Sequence, residues 1–121
     1  MPQVLDNFEV MFTIDGLRDT QRLDGSIKQH FKKTLNKKIK TDPLGYGTPL
    51  RGELVNFYKH EFAAHRVIYR IYAERKLVVI CAVGPRKSGD AQDIYNQLSK
   101  LIHSGRLATQ IQAVLESLLK Q

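Results

Sequence analysis

The chain has 121 residues, and its 19 Lys and Arg outnumber its 12 Asp and Glu to give a formal net charge of +7. This length suits one domain that buries a core without disulfides, and this charge favours an RNA, DNA or acidic protein partner over a neutral one. The single cysteine, Cys81, excludes an intrachain disulfide and argues against a cysteine-rich zinc site. Because Cys81 lies inside an apolar run, we expect it to be a small buried hydrophobe and not a reactive thiol.

The sequence also bears on localisation. The first ten residues show no positively charged leader followed by an apolar core, as a signal peptide would. The longest apolar run, residues 77–83, is too short for a membrane helix. We therefore expect a soluble, cytoplasmic protein that does not associate with a membrane.

One strand and two helices are predicted in the N-terminal third of the chain. Residues 8–14 are rich in β-branched and aromatic side chains and predict a strand that Asp15-Gly16 ends. A short helix follows over 17–23, and residues 24–26 form a turn that can cap a second helix. Apolar residues recur every four positions along that second helix and predict a buried stripe. They are Ile27, Phe31, Leu35 and Ile39.

Lysines cover the remaining faces of the second helix, without an acidic residue between them. They are Lys28, Lys32, Lys33, Lys37, Lys38 and Lys40. A lysine-rich side opposite an apolar stripe is commonly just the solvated side of a helix. The alternative is a strong positive field suited to the phosphates of ribosomal RNA, which would make these lysines an RNA- or ribosome-binding surface.

Three strands and two further helices are predicted after the loop at residues 44–49. The strands cover roughly 53–62, 65–73 and 76–84, and their short connections favour antiparallel neighbours. Apolar stripes then predict one helix over 91–102 and another over 107–118, separated by Ser104-Gly105. The stripe of the last helix needs cover, either from the domain's own sheet and preceding helix or from a second copy of the chain.

Three stretches of sequence carry a family resemblance. They are DPLGYGTPLRGEL at 42–54, HRVIYRI at 65–71 and VGPRKSGDAQDIY at 83–95. All three resemble features of the RelE/ParE family. The first resembles the family's loop of Pro, Gly and Leu-x-Gly, and the second resembles its core strand. The third resembles its pattern of Gly, any residue and Arg, followed later by a Tyr. Members of this family are toxin components of bacterial and archaeal toxin–antitoxin pairs. His65 stands where Tyr is usual in the core strand.

The resemblance covers about residues 8–100 and implies a single α+β domain over 1–121. The expected fold is β-α-α-β-β-β-α, an antiparallel four-stranded sheet with two N-terminal helices packed on it. Residues 101–121 form a helical extension beyond the usual minimal fold.

The resemblance implies metal-free and cofactor-free cleavage of mRNA, usually on the ribosome, with the ribose 2′-hydroxyl as nucleophile. Such a reaction needs a base for the 2′-proton, cations for the phosphorane charge and an acid for the leaving 5′-oxygen. Lys59 matches the family's catalytic lysine, while Arg66 and Arg86 match its phosphate-binding arginines. Tyr95 matches a tyrosine that stacks on or orients the substrate. Glu61 departs from the second lysine that is common there, and other branches use a carboxylate as general base.

Each of these roles has a plainer alternative. Lys59 and Glu61 share one face of a strand and could be a solvated charge pair. Arg66 could instead brace a neighbouring acidic residue. Tyr95 falls on the apolar stripe of its helix and could simply pack in the core. The histidines have no ligand-like spacing, so no metal site is expected.

The sequence leaves three functions open. The first is an mRNA endoribonuclease that a cognate antitoxin neutralises by lying over the sheet. The second is a ParE-like inhibitor of DNA gyrase that acts by binding protein without catalysis. The third is a domain whose site has decayed and which only binds RNA or a partner.

Overall fold

A computed structural model describes residues 7–85 and 93–119 and contains, within them, five strands in one mixed sheet. The strands are β1 (Glu9–Phe12), β2 (Thr48–Pro49), β3 (Tyr58–Phe62), β4 (His65–Tyr72) and β5 (Leu77–Pro85), in the spatial order β1-β5-β4-β3-β2. Five α-helices accompany them: α1 (Ile14–Gln21), α2 (Gly25–Thr34), α3 (Pro43–Tyr46), α4 (Ile94–His103) and α5 (Arg106–Leu119). The α+β class predicted from the sequence is confirmed.

The antiparallel four-stranded sheet predicted from the sequence is wrong in two respects. β1 pairs with β5 in parallel, with Glu9 opposite Leu77 and Phe12 opposite Ile80. A parallel pair needs a long crossover, and the chain between β1 and β5 contains α1, α2 and three other strands. The fifth strand, β2, is a two-residue edge strand inside the segment that was predicted as a loop.

The strand predicted over 53–62 begins only at Tyr58. Its first part is a 3₁₀ turn over Gly52–Leu54, with Gly52 at φ 65° and Asn56 at φ 79°. These left-handed conformations are incompatible with a regular strand. The later strands agree with the prediction to within one or two residues.

Two helix layers enclose the sheet. On one face, α2 and the π-helical turn that continues it over Leu35–Ile39 pack against β4 and β5 through Phe31, Ile39, Val67 and Ile80. The predicted stripe is therefore buried at Phe31 and Ile39 and half-buried at Ile27 and Leu35. On the other face, α4 and α5 cover β5 and the centre of β4. Their contact residues include Leu98, Leu107, Ile111 and Val114.

Helix α1 crosses directly over β5. Thr13 caps α1 by accepting the Gly16 N–H at 3.0 Å, and its own N–H donates to the Ile80 carbonyl. A Cβ atom on Gly16 would lie 2.4 Å from the Ile80 oxygen, so only glycine permits this close crossing. The predicted breaker Asp15-Gly16 thus lies inside α1, which begins three residues earlier than the helix predicted over 17–23.

The open question about the last helix is answered by its contacts. The apolar stripe of α5 lies on the domain's own sheet and on α4, with Leu107 2% exposed. A bidentate ion pair fixes its start to α1, because Arg106 donates from Nε and Nη2 to the Asp15 carboxylate at 2.9 and 3.0 Å. No second copy of the chain is needed to cover the stripe.

Within the described parts of the chain, no helix combines the length and apolar character that crossing a membrane requires. The longest of them, α5, has 14 residues.

Candidate functional site

A tight hairpin sets the register of the candidate site. Ala63 and Ala64 form the two-residue turn between β3 and β4 and have φ values of 45° and 60°. Both values are positive, which matches the twist of a right-handed hairpin. The turn places Glu61 directly opposite Arg66. Lys59, two residues before Glu61, lies on the same face of the sheet.

The side chains of Lys59, Glu61 and Arg66 converge. Arg66 Nε donates to Glu61 Oε2 at 3.1 Å, and Lys59 Nζ lies 3.9 Å from the same oxygen. Arg66 is the least exposed of the three at 12%, while Lys59 and Glu61 are 27% and 39% exposed. One carboxylate therefore lies between two cations at a partly sheltered position that solvent still reaches.

Tyr95 joins this group from the first turn of α4. The buried Asp93 caps α4 by accepting the Tyr95 N–H at 2.7 Å, and this cap places the tyrosine over the end of the sheet. The Arg66 guanidinium lies 4.9 Å from the centre of the Tyr95 ring. Tyr95 is half-buried and packs against the core, which is one of its two alternatives, while contact with a substrate stays a prediction.

Arg86 lies outside the described residues. Pro85, the last described residue before it, is the register partner of His65, and Gly84 is the register partner of Arg66. The end of β5 is thus next to the start of β4, where the other candidate residues lie.

The lysines predicted to bind RNA occupy a separate surface. Lys28, Lys32, Lys33, Lys37 and Lys38 are all exposed, on α2 and its π-helical continuation. Because α2 packs on the face opposite α4, this lysine surface is on the other side of the sheet from Lys59, Glu61 and Arg66. Lys40 is only partly exposed.

The histidines and the cysteine have structural contacts. His60 Nδ1 is 3.0 Å from the Tyr46 carbonyl oxygen, and His65 Nδ1 is 2.8 Å from that of Ala63. Among residues 7–85 and 93–119, no group of three or more His, Cys, Asp or Glu side chains could hold a metal ion. Burial raises the pKa of the Cys81 thiol to about 12, and the thiol is fully buried, as expected for a core hydrophobe.

No pattern in the sequence indicates a cavity near Lys59, Glu61 and Arg66. A cavity of about 370 Å³ lies at the C-terminal end of β5, with Asp19, Arg22, His65 and Gln97 among its lining residues. These residues come from separate segments and follow no common spacing. No sequence pattern could have assembled them before the fold was known.

Comparisons with known proteins identify the family. No family model matches the chain. A RelE-like toxin protein of Escherichia coli is 34% identical over 95 residues, which cover 77% of this chain and 95% of that protein. The chain therefore belongs to the RelE family of toxins, which are components of toxin–antitoxin systems.

Solved structures agree with this assignment. The RelBE2 toxin–antitoxin complex of Mycobacterium tuberculosis contains a chain that is 31% identical, with a TM-score of 0.63 over 66% of this chain and 99% of that one. A free E. coli RelE variant is 22% identical, with a TM-score of 0.60 over 81% of this chain and 99% of that one. A YoeB/ParE toxin of Agrobacterium tumefaciens is 21% identical, with a TM-score of 0.55 over 66% and 100% of the two chains. The last two similarities describe the fold alone.

Proposed function

We propose that this toxin is a metal-free endoribonuclease that cleaves mRNA on the ribosome and thereby inhibits translation. The observation that carries the proposal is the convergence of Lys59, Glu61 and Arg66 on one face of the β3–β4 hairpin, with Tyr95 against Arg66. A base next to two cations, one of which can also act as the acid, supplies the groups that cleavage through the 2′-hydroxyl requires.

In this mechanism Glu61 is the general base. Its carboxylate takes the proton of the ribose 2′-hydroxyl as the 2′-oxygen forms a bond to phosphorus. The bond from phosphorus to the 5′-oxygen then breaks, and a proton supplied to that oxygen leaves a 5′-hydroxyl on one product and a cyclic phosphate on the other. We assign this second transfer to Lys59, whose protonated Nζ lies 3.9 Å from Glu61 Oε2.

Arg66 stabilises the phosphorane in this proposal. Its planar guanidinium is suited to two phosphate oxygens at once, and its low exposure strengthens the attraction to charge that develops in the transition state. Arg86 is proposed as the second phosphate-binding arginine on the strength of the family resemblance. Tyr95 would orient the nucleotide next to the scissile bond, with Arg66 holding one face of its ring.

The partners follow from the two surfaces. The exposed lysines of α2 would contact the phosphates of ribosomal RNA through their positive field. They lie on the side of the sheet opposite the proposed catalytic residues. A cognate antitoxin would neutralise the toxin by covering Lys59, Glu61 and Arg66. Crystal structures of RelBE complexes from M. tuberculosis and E. coli, which contain toxin and antitoxin together, support such a partner.

The proposal is tested with ribosomes that translate a defined message in the presence of the purified toxin. We expect new 5′-hydroxyl ends inside the reading frame, mapped by primer extension, and no dependence on added divalent metal beyond what the ribosome needs. An intact message together with inhibited DNA supercoiling would contradict the proposal and favour a gyrase inhibitor.

A further inference from the structure

The cavity at the end of β5 has no role in the reaction described above. It opens between the end of α1, the start of α2 and the start of α4, and its volume is about 370 Å³. Ligand pockets commonly span about 300–1,000 Å³, so this cavity is large enough for a nucleobase with part of its sugar. Leu23, Ile27 and Ile94 give it an apolar lining. Its charged lining residues are the carboxylates of Asp19 and Asp24 and the guanidinium of Arg22.

The cavity is adjacent to the proposed catalytic residues. His65, which lines it, immediately precedes Arg66, and Ile94 immediately precedes Tyr95. Gly84, a third lining residue, is the register partner of Arg66 across the β4–β5 ladder. The side chains of His65 and Arg66 point to opposite faces of β4, so a nucleotide next to a scissile phosphate at Arg66 would reach the cavity around the end of the sheet.

The Asp19 carboxylate can distinguish ligands that donate a hydrogen bond from ligands that only accept one. Its Oδ2 accepts the Val83 N–H at 3.0 Å, which fixes the side chain beside β5. A carboxylate accepts more than one hydrogen bond, so it can take another donor from the cavity side. Burial raises the pKa of the Asp19 carboxyl against the opposing effects of Val83 and Arg22, and a hydrogen bond donated by a ligand would compensate for the lost hydration.

We propose that this cavity binds an amino-bearing nucleobase of the mRNA next to the scissile phosphate and so sets the base preference of cleavage. Asp19 accepts a hydrogen bond from the exocyclic amino group of adenine, guanine or cytosine. Arg22 donates to an acceptor on the same base, and the apolar lining contacts its flat face. Uracil is disfavoured because it presents carbonyl oxygens in place of an amino group. The inference rests on the proposed nuclease function.

The substitution Asp19→Asn tests this directly because it replaces an acceptor oxygen by a donor amide group without changing the size of the side chain. The asparagine carbonyl can still accept the Val83 N–H, while its amide group becomes a donor to the cavity. Cleavage sites are mapped with translating ribosomes and messages that carry each of the four bases at the positions flanking the cut. We expect the wild type to disfavour uracil about tenfold at one flanking position, and the variant to lose or reverse that preference.

Glu74→Gln is the matched control, since it makes the same chemical change at an exposed residue of the turn between β4 and β5. It should keep the wild-type base preference. A thermal melt of Asp19→Asn establishes that the variant is folded, and a changed total rate with an unchanged base preference would overturn the proposal. An unchanged base preference in a folded, active Asp19→Asn variant would overturn it. A wild-type protein that cleaves no message would instead overturn the proposed function.

Discussion

At the scale of single residues, the position of Glu61 is the most informative feature. Its carboxylate is an anion held between the cations of Lys59 and Arg66. The proposed function puts the scissile phosphate at the same two cations. We expect Glu61→Gln to separate two effects. RNA should bind several-fold more tightly because the competing anion is removed, while the cleavage rate should fall about 100-fold because the general base is lost. Filter binding and single-turnover cleavage measure the two quantities.

A solvated charge pair would behave differently. Exposed ion pairs contribute about 0–1 kcal/mol, so Glu61→Gln would then change the free energy of unfolding slightly and leave the cleavage rate unchanged. That outcome would remove Glu61 from the catalytic group. Glu53→Gln is unsuitable as a control because Glu53 holds Ser99 and His103 of α4. A rate measurement on an exposed glutamate such as Glu116 gives the baseline for this change.

At the scale of elements, the attachment of α5 to α1 depends on Asp15. The Asp15 carboxylate accepts from Arg106 and from Gln110 Nε2, the latter at 2.7 Å. Burial acts to raise the pKa of this carboxyl, but the hydrogen bonds from Gln110 and Arg106 outweigh it and hold the pKa below its ordinary value of 3.8. We expect Asp15→Asn to lower the free energy of unfolding by about 1–3 kcal/mol at neutral pH.

The pH dependence has a definite sign. Because the pKa of Asp15 is lower in the folded state, its stabilising effect is fully present above the unfolded pKa and is lost as the pH falls through the folded value. The difference in free energy of unfolding between wild type and Asp15→Asn should therefore shrink at acid pH, as measured by urea denaturation. Asp24→Asn is the control, since asparagine caps α2 as well as aspartate does. A constant difference across pH would contradict this account of α5.

At the scale of the whole molecule, the toxin presents two chemically different sides. The lysines of α2 lie across the sheet from the proposed catalytic residues, so the proposed binding to the ribosome and the proposed cleavage should be separable. We expect Lys32→Gln with Lys33→Gln to weaken co-sedimentation with ribosomes and to reduce the slope of log affinity against log salt by about two, since each phosphate contact contributes about one.

A charge-matched variant elsewhere provides the comparison for the lysine surface. Arg51→Gln with Arg75→Gln removes the same charge from exposed positions off α2. If it reduced ribosome binding and the salt slope as much as the lysine pair, net charge would explain the binding and the lysine surface would have no specific role.

The elements that were predictable from sequence are those with local periodicity. The four-residue stripe of α2 and the stripes of α4 and α5 identified helices and their buried faces. The parallel partner of β1 could not be predicted, because strand pairing over more than 60 residues leaves no local pattern. The cavity beside Asp19 could not be predicted either, because its lining residues are far apart in the sequence.

For the candidate site, the residues could be proposed from the sequence, but their arrangement in space could not. The resemblance supplied Lys59, Arg66 and Tyr95, and strand periodicity placed Lys59 and Glu61 on one face. Their mutual distances, however, depend on the Ala63-Ala64 turn, which fixes the register of β3 against β4. Alanines carry no turn signal of the kind that Asn-Gly would give, so this register could not be read from the sequence.

The central claim is that Arg66 stabilises the transition state of RNA cleavage. It is tested most directly by the single-turnover rate of message cleavage on ribosomes with Arg66→Ala, compared with Arg75→Ala as an exposed arginine far from the site. We expect the rate to fall by about 100-fold or more for Arg66→Ala and to stay near the wild-type value for Arg75→Ala. A folded Arg66→Ala variant that cleaves at the wild-type rate would contradict the account.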